Sequence, residues 1–256
     1  MVLSKLKKNP LLRKCYYFIK SIKQYLTIKP FHTFKEYCWY INQLSELKKK
    51  TDNPNFNKII YYPCLFDNLK TTPLEPTYFY QDSWAAKKLF ELKPAKHVDV
   101  GSSAKTIGIL SQFTPITMVD IRPIELSLDG LEFKKGSILK LPFEDNSVES
   151  LSSMCVIEHI GLGRYGDDLD AFGSEKSINE LKRILKPGGT LLISVPIDKE
   201  NIIYFNAHRA FSKKYLFDLL SDFIIMEERY LYGKEVTESF DQDKGFGTVF
   251  LMLKKK

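Results

Sequence analysis

Apolar and polar positions divide this chain into two unlike parts. From residue 78 onward, short apolar runs of strand length alternate with stretches of helical period. Lys96–Val100, Ile116–Asp120, Leu131–Lys135, Val148–Val156 and Thr190–Val195 read as strands. The last is apolar almost throughout, as a strand covered on both faces must be. Between them, residues 79–92, 105–112 and 174–185 read as helices, the third closed by Lys186-Pro187-Gly188-Gly189. Residues 212–220 form another helix, with Ser212 as its N-cap. Phe223–Tyr230 and Thr248–Leu253 are closing strands with no clear helix between them. Strands that alternate with helices predict a doubly wound α/β sheet, mostly parallel, with an antiparallel C-terminal edge strand.

The first 77 residues read differently. Residues 11–26 carry apolar side chains on one helical face and basic ones on the other. A second helix is predicted over 33–50, and the prolines and polar residues of 51–77 read as a linker. The expected organisation is therefore a basic, aromatic-rich helical extension with its linker (1–77) and a catalytic-type domain (78–256). Residues 1–50 hold twelve Lys/Arg and two acids, a net +10, while the remaining 26 Lys/Arg and 29 acids give −3. The overall +7 is thus a property of the extension. Its basic and aromatic side chains suit an anionic membrane surface or a partner enzyme such as a glycosyltransferase. Packing on the body is the plainer alternative. The slightly acidic body argues against a nucleic-acid partner. Four scattered cysteines with no CxxC pair fit a reducing compartment. No apolar run is long enough to span a bilayer and no signal-peptide pattern is visible, so a cytoplasmic location is expected, with residues 1–50 able to hold the chain at the membrane's inner face.

The chemistry centres on His97-Val98-Asp99-Val100-Gly101-Ser102-Ser103, followed by Met118-Val119-Asp120. A strand, a glycine turn, a helix start and a second strand ending in an acid about 20 residues on form the arrangement that holds a ribose diol. That hook serves hydride transfer with a dinucleotide or methyl transfer with S-adenosylmethionine. The absence of GxGxxG disfavours the dehydrogenase.

Three further segments carry a resemblance. Lys140-Leu141-Pro142-Phe143-Glu144-Asp145, Val156-Ile157-Glu158-His159-Ile160 and Glu180-Leu181-Lys182-Arg183-Ile184-Leu185-Lys186-Pro187-Gly188-Gly189 resemble, in that order, the core of class I S-adenosylmethionine-dependent methyltransferases. The likeness covers roughly residues 78–256. The chain is also similar to a family catalogued as domain of unknown function 268, through Thr77-Tyr78-Phe79-Tyr80-Gln81-Asp82, Glu158-His159-Ile160-Gly161-Leu162-Gly163-Arg164-Tyr165-Gly166-Asp167 and Phe205-Asn206-Ala207-His208-Arg209. The resemblance implies a Rossmann-like methyltransferase sheet and S-adenosyl-L-methionine as cofactor. It hints at surface-polysaccharide assembly, hence O-methylation of a sugar or glycan intermediate. One departure is clear: the family's glycine loop keeps only Gly101, with Ser103 and Lys105 at later glycine positions. A non-catalytic relative that binds a glycan, a nucleotide-sugar or a glycosyltransferase is the alternative this departure motivates.

On this reading Asp99, Gly101 and Ser102 meet the methionyl end of the cofactor. Asp120 takes the ribose hydroxyls, with Ile121 beside it, and Ser137 and Ile138 flank adenine. Asp99 as a helix cap, Asp120 as an ion-pair partner of Arg122 and Ile138 as ordinary core are the plainer readings. His159 is the candidate base, since an imidazole titrates near working pH, and Glu158 orients it. The long loop with Arg164, Tyr165 and Asp167 reads as a lid or acceptor loop. Tyr80, Gln81, Asp82, Asn206, His208 and Arg209 complete the acceptor-binding set. No residue spacing is diagnostic of a metal site.

Overall fold

A computed structural model describes residues 30–50, 53–55 and 59–256. The helix expected over 11–26 lies outside the described residues. The chain divides into two compact units, Met1–Pro73 and Leu74–Lys256, a few residues ahead of the boundary expected at 78.

In the first unit, α1 runs over Pro30–Lys50 and ends on Lys48, Lys49 and Lys50, where cations favour the negative end of a helix dipole. Phe34, Tyr37, Trp39 and Leu47 are exposed along it.

The second unit opens with α2 (Pro76–Leu92). Glu75 caps it by accepting the Tyr78 N–H at 2.8 Å, Pro76 suits the first turn, and Lys93 ends it in the left-handed region. The elements that follow are β1 (His97–Val100), α3 (Ala104–Leu110), β2 (Ile116–Asp120), β3 (Leu131–Lys135), β4 (Val148–Met154), α4 (Gly173–Ile184), β5 (Leu185–Asp198), β6 (Ile202–Tyr204), β7 (His208–Ser212), α5 (Lys213–Leu219), β8 (Phe223–Tyr232), β9 (Glu235–Thr237) and β10 (Gly247–Lys255). The strand order is β3-β2-β1-β4-β5-β10-β8-β9. β3 through β5 are mutually parallel. β10 runs antiparallel between β5 and β8, so the antiparallel end of the sheet is built by the last three strands together.

Side-chain alternation along the strands assigns each face its helices. On β2, Ile116 and Met118 pack in a cluster with Leu89 of α2 and Ile107 and Leu110 of α3. Val119 turns the other way, into the larger cluster that holds Ile178, Leu181 and Ile184 of α4 and Leu216 of α5. Helices therefore cover both faces. Two elements differ from expectation. β5 starts at Leu185, so Lys186-Pro187-Gly188-Gly189 lies within a strand, with Gly188 in the left-handed region, and does not end the helix by itself. After β5 the chain makes an unexpected hairpin: β6 and β7 pair around a turn that holds Asn206 at φ +60°, and β7 lies parallel to the end of β5.

Candidate active site

The carboxyl ends of β1 and β2, and the loops after β3 and β4, open onto one cleft, the usual ligand crevice of such a sheet. Gly101 forms its floor at φ +73°, a conformation glycine adopts freely, and its N–H donates to the Val119 carbonyl at 2.9 Å. A Cβ there would lie 2.9 Å from Val156 Cγ1, so a side chain at this position would have to displace Val156 as well as adopt a strained backbone. Asp120, Ile121, Ser137 and Ile138 line the wall. Asp120 accepts from the Arg122 N–H at 2.8 Å and from its guanidinium at 3.3 and 3.4 Å, so the ion pair exists in a residue that also lines the cleft. Lys105 is exposed and does not line the cleft.

Asp99 and Ser102 do not line it, which corrects their expected role. β1 is buried along its whole length. His97 and Asp99 sit two residues apart on one face, and Asp99 pairs in register with Ser152 of β4. The result is a buried polar chain. His97 reaches Ser150 and Ser152, each at 2.8 Å. Ser152 donates to Asp99 at 2.5 Å, and Ser102 Oγ donates to Asp99 at 2.6 Å and accepts the Met154 N–H at 3.0 Å. Burial pushes the Asp99 carboxyl up to about 6 and His97 down to about 3.

Three further expectations are corrected for the same reason: the polar atoms are committed inside the protein. Gln81 is fully buried and accepts from Ser194 at 2.5 Å and from the Cys155 thiol at 2.9 Å. Asp82 accepts from Thr106 at 2.6 Å and from Gln81 at 3.1 Å. Arg209 is buried and spends its guanidinium on the Ile160 and Asp170 carbonyls at 2.5 and 2.9 Å, fastening the lid loop. Tyr80 is half-buried against Phe79 and Asn206 is exposed in the hairpin turn; neither lines the cleft.

His159 does line the cleft. Its Nδ1 lies 2.6 Å from the Ala207 carbonyl, which must receive a proton, so Nε2 carries the free lone pair. Burial holds this imidazole down at about 4, and the neighbouring Arg164 and His208 push the same way. Glu158 is buried, with Oε1 3.6 Å from His159 Nε2 and Oε2 unpartnered, and burial raises its carboxyl to about 8. At neutral pH the pair is uncharged on both sides. Ring-nitrogen chemical shifts measured against pH should show His159 neutral at pH 6 with a midpoint near 4; a midpoint near 6.5 would contradict the tautomer and burial described.

The 161–170 loop, expected from the sequence to be a lid or acceptor loop, borders this edge. Tyr165 lines the cleft with Asp167, and its ring meets His159 edge-on at 5.6 Å. Arg122 and Arg164 approach that ring at 4.8 and 5.1 Å. Asp167 holds the loop's shape by accepting the Gly161 and Tyr165 N–H groups. His208 stands 6.4 Å from His159, centroid to centroid, against Tyr204 and Phe246. Cys155, Tyr204 and Phe246 went unpredicted. Cys155 lines the cleft at φ +52°, with burial pushing its thiol well up. No cluster of metal-ligating side chains occurs among the described residues.

Known proteins share this architecture. A Galdieria sulphuraria chain provisionally assigned as a sarcosine dimethylglycine methyltransferase superposes with a TM-score of 0.52 at 18% identity, covering 70% of this chain and 86% of that one. The fold is that of class I methyltransferases. Geranyl diphosphate C-methyltransferase from Streptomyces coelicolor shares the methyltransferase fold with a TM-score of 0.51 at 11% identity, over 70% of this chain and 82% of that one. In sequence, demethylmenaquinone methyltransferase of Oceanobacillus iheyensis is 23% identical over 153 residues. That alignment spans 59% of this chain and 59% of the relative. Residues 126–244, which hold the lid loop and hairpin of the methyltransferase fold, match the family described as "Caenorhabditis protein of unknown function, DUF268".

Proposed function

We propose that this chain is an S-adenosylmethionine-dependent methyltransferase that methylates an oxygen of a sugar or surface-glycan intermediate. The observation that carries the reading is the shared cleft: Asp120 at the tip of β2 and His159 beyond β4 both line it. The residues present fit the cofactor's nucleoside end. Asp120 would accept from the ribose hydroxyls, Ile121 and Ile138 would offer apolar sides to the base, and Gly101 would allow a close backbone approach. When bound, S-adenosylmethionine supplies an electrophilic methyl on a sulfonium and leaves as the thioether.

The chain's own part is alignment and proton removal. His159 is fixed by the Ala207 carbonyl, so its neutral Nε2 takes the proton that an acceptor hydroxyl loses as its oxygen gains the methyl. Burial holds it at about 4, so it is a weaker base than the near-neutral imidazole expected from the sequence. Glu158 sits behind Nε2 as a positioning residue. Tyr165 and Arg164 cover the reacting edge. Calorimetry with S-adenosylhomocysteine should give saturable 1:1 heat with the wild-type chain. Absence of heat at high protein concentration would defeat the assignment and favour a non-catalytic glycan or glycosyltransferase binder.

No helix among the described residues is long and apolar enough to cross a membrane. The exposed Phe34, Tyr37 and Trp39 of α1, with its closing lysines, support an extension that meets an anionic membrane face or a glycosyltransferase.

A further inference from the structure

Among the arginines of the second unit, Arg164 is spent differently from the others. Arg122 is paired with Asp120, Arg183 with Glu180 and Asp145, and Arg229 with Glu227 and Glu238. Arg209 is buried among carbonyls. Arg164 instead is exposed, donates to the Ala207 carbonyl at 3.1 Å and stacks on Tyr165. Its Nη1 also lies 3.4 Å from His159 Nδ1, a nitrogen already committed to donating to the same carbonyl, so that approach is a repulsive one. His208 adds a second imidazole beside it, with Nε2 buried and unpartnered. Neither nearby acid pairs with Arg164. Asp167, an ionised carboxylate, accepts from the Gly161 and Tyr165 N–H groups, and Glu158 is held neutral at working pH. The cluster adjoins the cleft through His159 and Tyr165, which line it.

The Arg164 guanidinium is a cation with no carboxylate partner among the described residues beside the cleft, and a bound oxyanion would supply one. Resting on the methyl-transfer reading, we propose that the acceptor is an anion whose carboxylate or phosphate is held by Arg164 and His208 at the edge of the cleft. Tyr204 and Phe246 pack around His208 and give the rest of the acceptor an aromatic surface. Binding has a built-in consequence for the base. Arg164 is one of the groups that hold the His159 imidazole low. An anion that pairs with it removes that repulsion, so His159 becomes more basic when the acceptor arrives.

The test uses the full chain saturated with S-adenosylhomocysteine. Inorganic phosphate, glucuronate and neutral glucose are titrated at constant ionic strength while histidine ring shifts are followed. The expected result is saturable binding of phosphate or glucuronate, a rise of about one unit in the His159 midpoint on binding, and a loss of about tenfold or more in anion affinity in Arg164→Gln. Phosphate alone identifies a phosphorylated acceptor, and glucuronate alone a carboxylate. Glucose binding as well as glucuronate, no binding of any of the three, or unchanged anion affinity in Arg164→Gln would overturn the proposal. Separate titration of S-adenosylhomocysteine into wild type and Arg164→Gln distinguishes this failure from failure of the cofactor reading. Saturable binding of it to both proteins keeps the cofactor reading, and its absence from both would reject the cofactor while leaving the anion measurement, repeated without it, to be judged by itself.

Discussion

Replacing Asp120 by Asn should weaken S-adenosylhomocysteine binding by about 100-fold, roughly 2.7 kcal/mol. The size follows from what the side chain must do. Arg122 already occupies part of the carboxylate, but its contacts to the two oxygens at 3.3 and 3.4 Å are long, and only its N–H contact at 2.8 Å is short. Acceptor capacity therefore remains toward the cleft. Asparagine keeps the shape, loses the charge and turns one acceptor into a donor, so a ribose hydroxyl meets an NH2 group or bonds to a neutral oxygen. Hydrogen bonds to a charged group contribute about 1.5–3 kcal/mol, and leaving a partner unsatisfied adds to the loss. Arg122→Ala is the companion variant. It removes the long guanidinium contacts and leaves the backbone N–H to hold Asp120, so it should cost only a few-fold. Calorimetry on both variants checks the pair. An Asp120→Asn protein that binds within about threefold of wild type would mean that the ribose lies elsewhere.

The second large effect is on stability. Glu158 is buried, one carboxylate oxygen lacks a partner, and its carboxyl is pushed up to about 8 from an ordinary 4.5. A carboxyl raised in the folded state contributes fully below its unfolded value, and its contribution is lost as pH rises through the folded value. Glu158 therefore costs stability progressively from about pH 4.5 to 8, and Asp99, raised to about 6, acts in the same direction at lower pH. His97, lowered to about 3, and His159, lowered to about 4, act oppositely. Their contribution is present above about 6.5 and is lost as pH falls toward those values. Stability should peak at mildly acidic pH. Glu158→Gln cannot ionise, so at pH 9 it should exceed wild type by roughly 3–5 kcal/mol, or about 6 °C or more in melting temperature, while at pH 4 the two should melt together. Thermal denaturation at the two pH values decides it: an equal difference at both would show that the effect is packing and not charge.

The fold was legible because its strands are short apolar runs with two covered faces. β1, β2, β3 and β4 begin and end within two residues of where alternation puts them. The β6–β7 hairpin escaped because its residues mix aromatics, amides and histidine with no clean period. Asn206 in the left-handed region was its one turn signal. The site divides in the same way. That Gly101 and Asp120 lie at the cleft could be read because strand ends project into the crevice. Asp99 could not be placed by position alone, since the decisive fact is which face it takes, and that follows from His97 two residues before it and Ser152 across from it. Gln81, Asp82 and Arg209 are ordinary polar residues in sequence. Only the packing of α2 against Ser194 and of the lid loop against Arg209 turns them into internal struts.

The position of β10 has a consequence for how the molecule comes into being. β8 is synthesised before the strand that joins it to β5, so it must wait with one side unsatisfied until residues 247–255 emerge and slide in between. The hairpin of β8 and β9 is left as an open template in the interval, and that interval is when a nascent chain of this design is most exposed to mispairing with a neighbour.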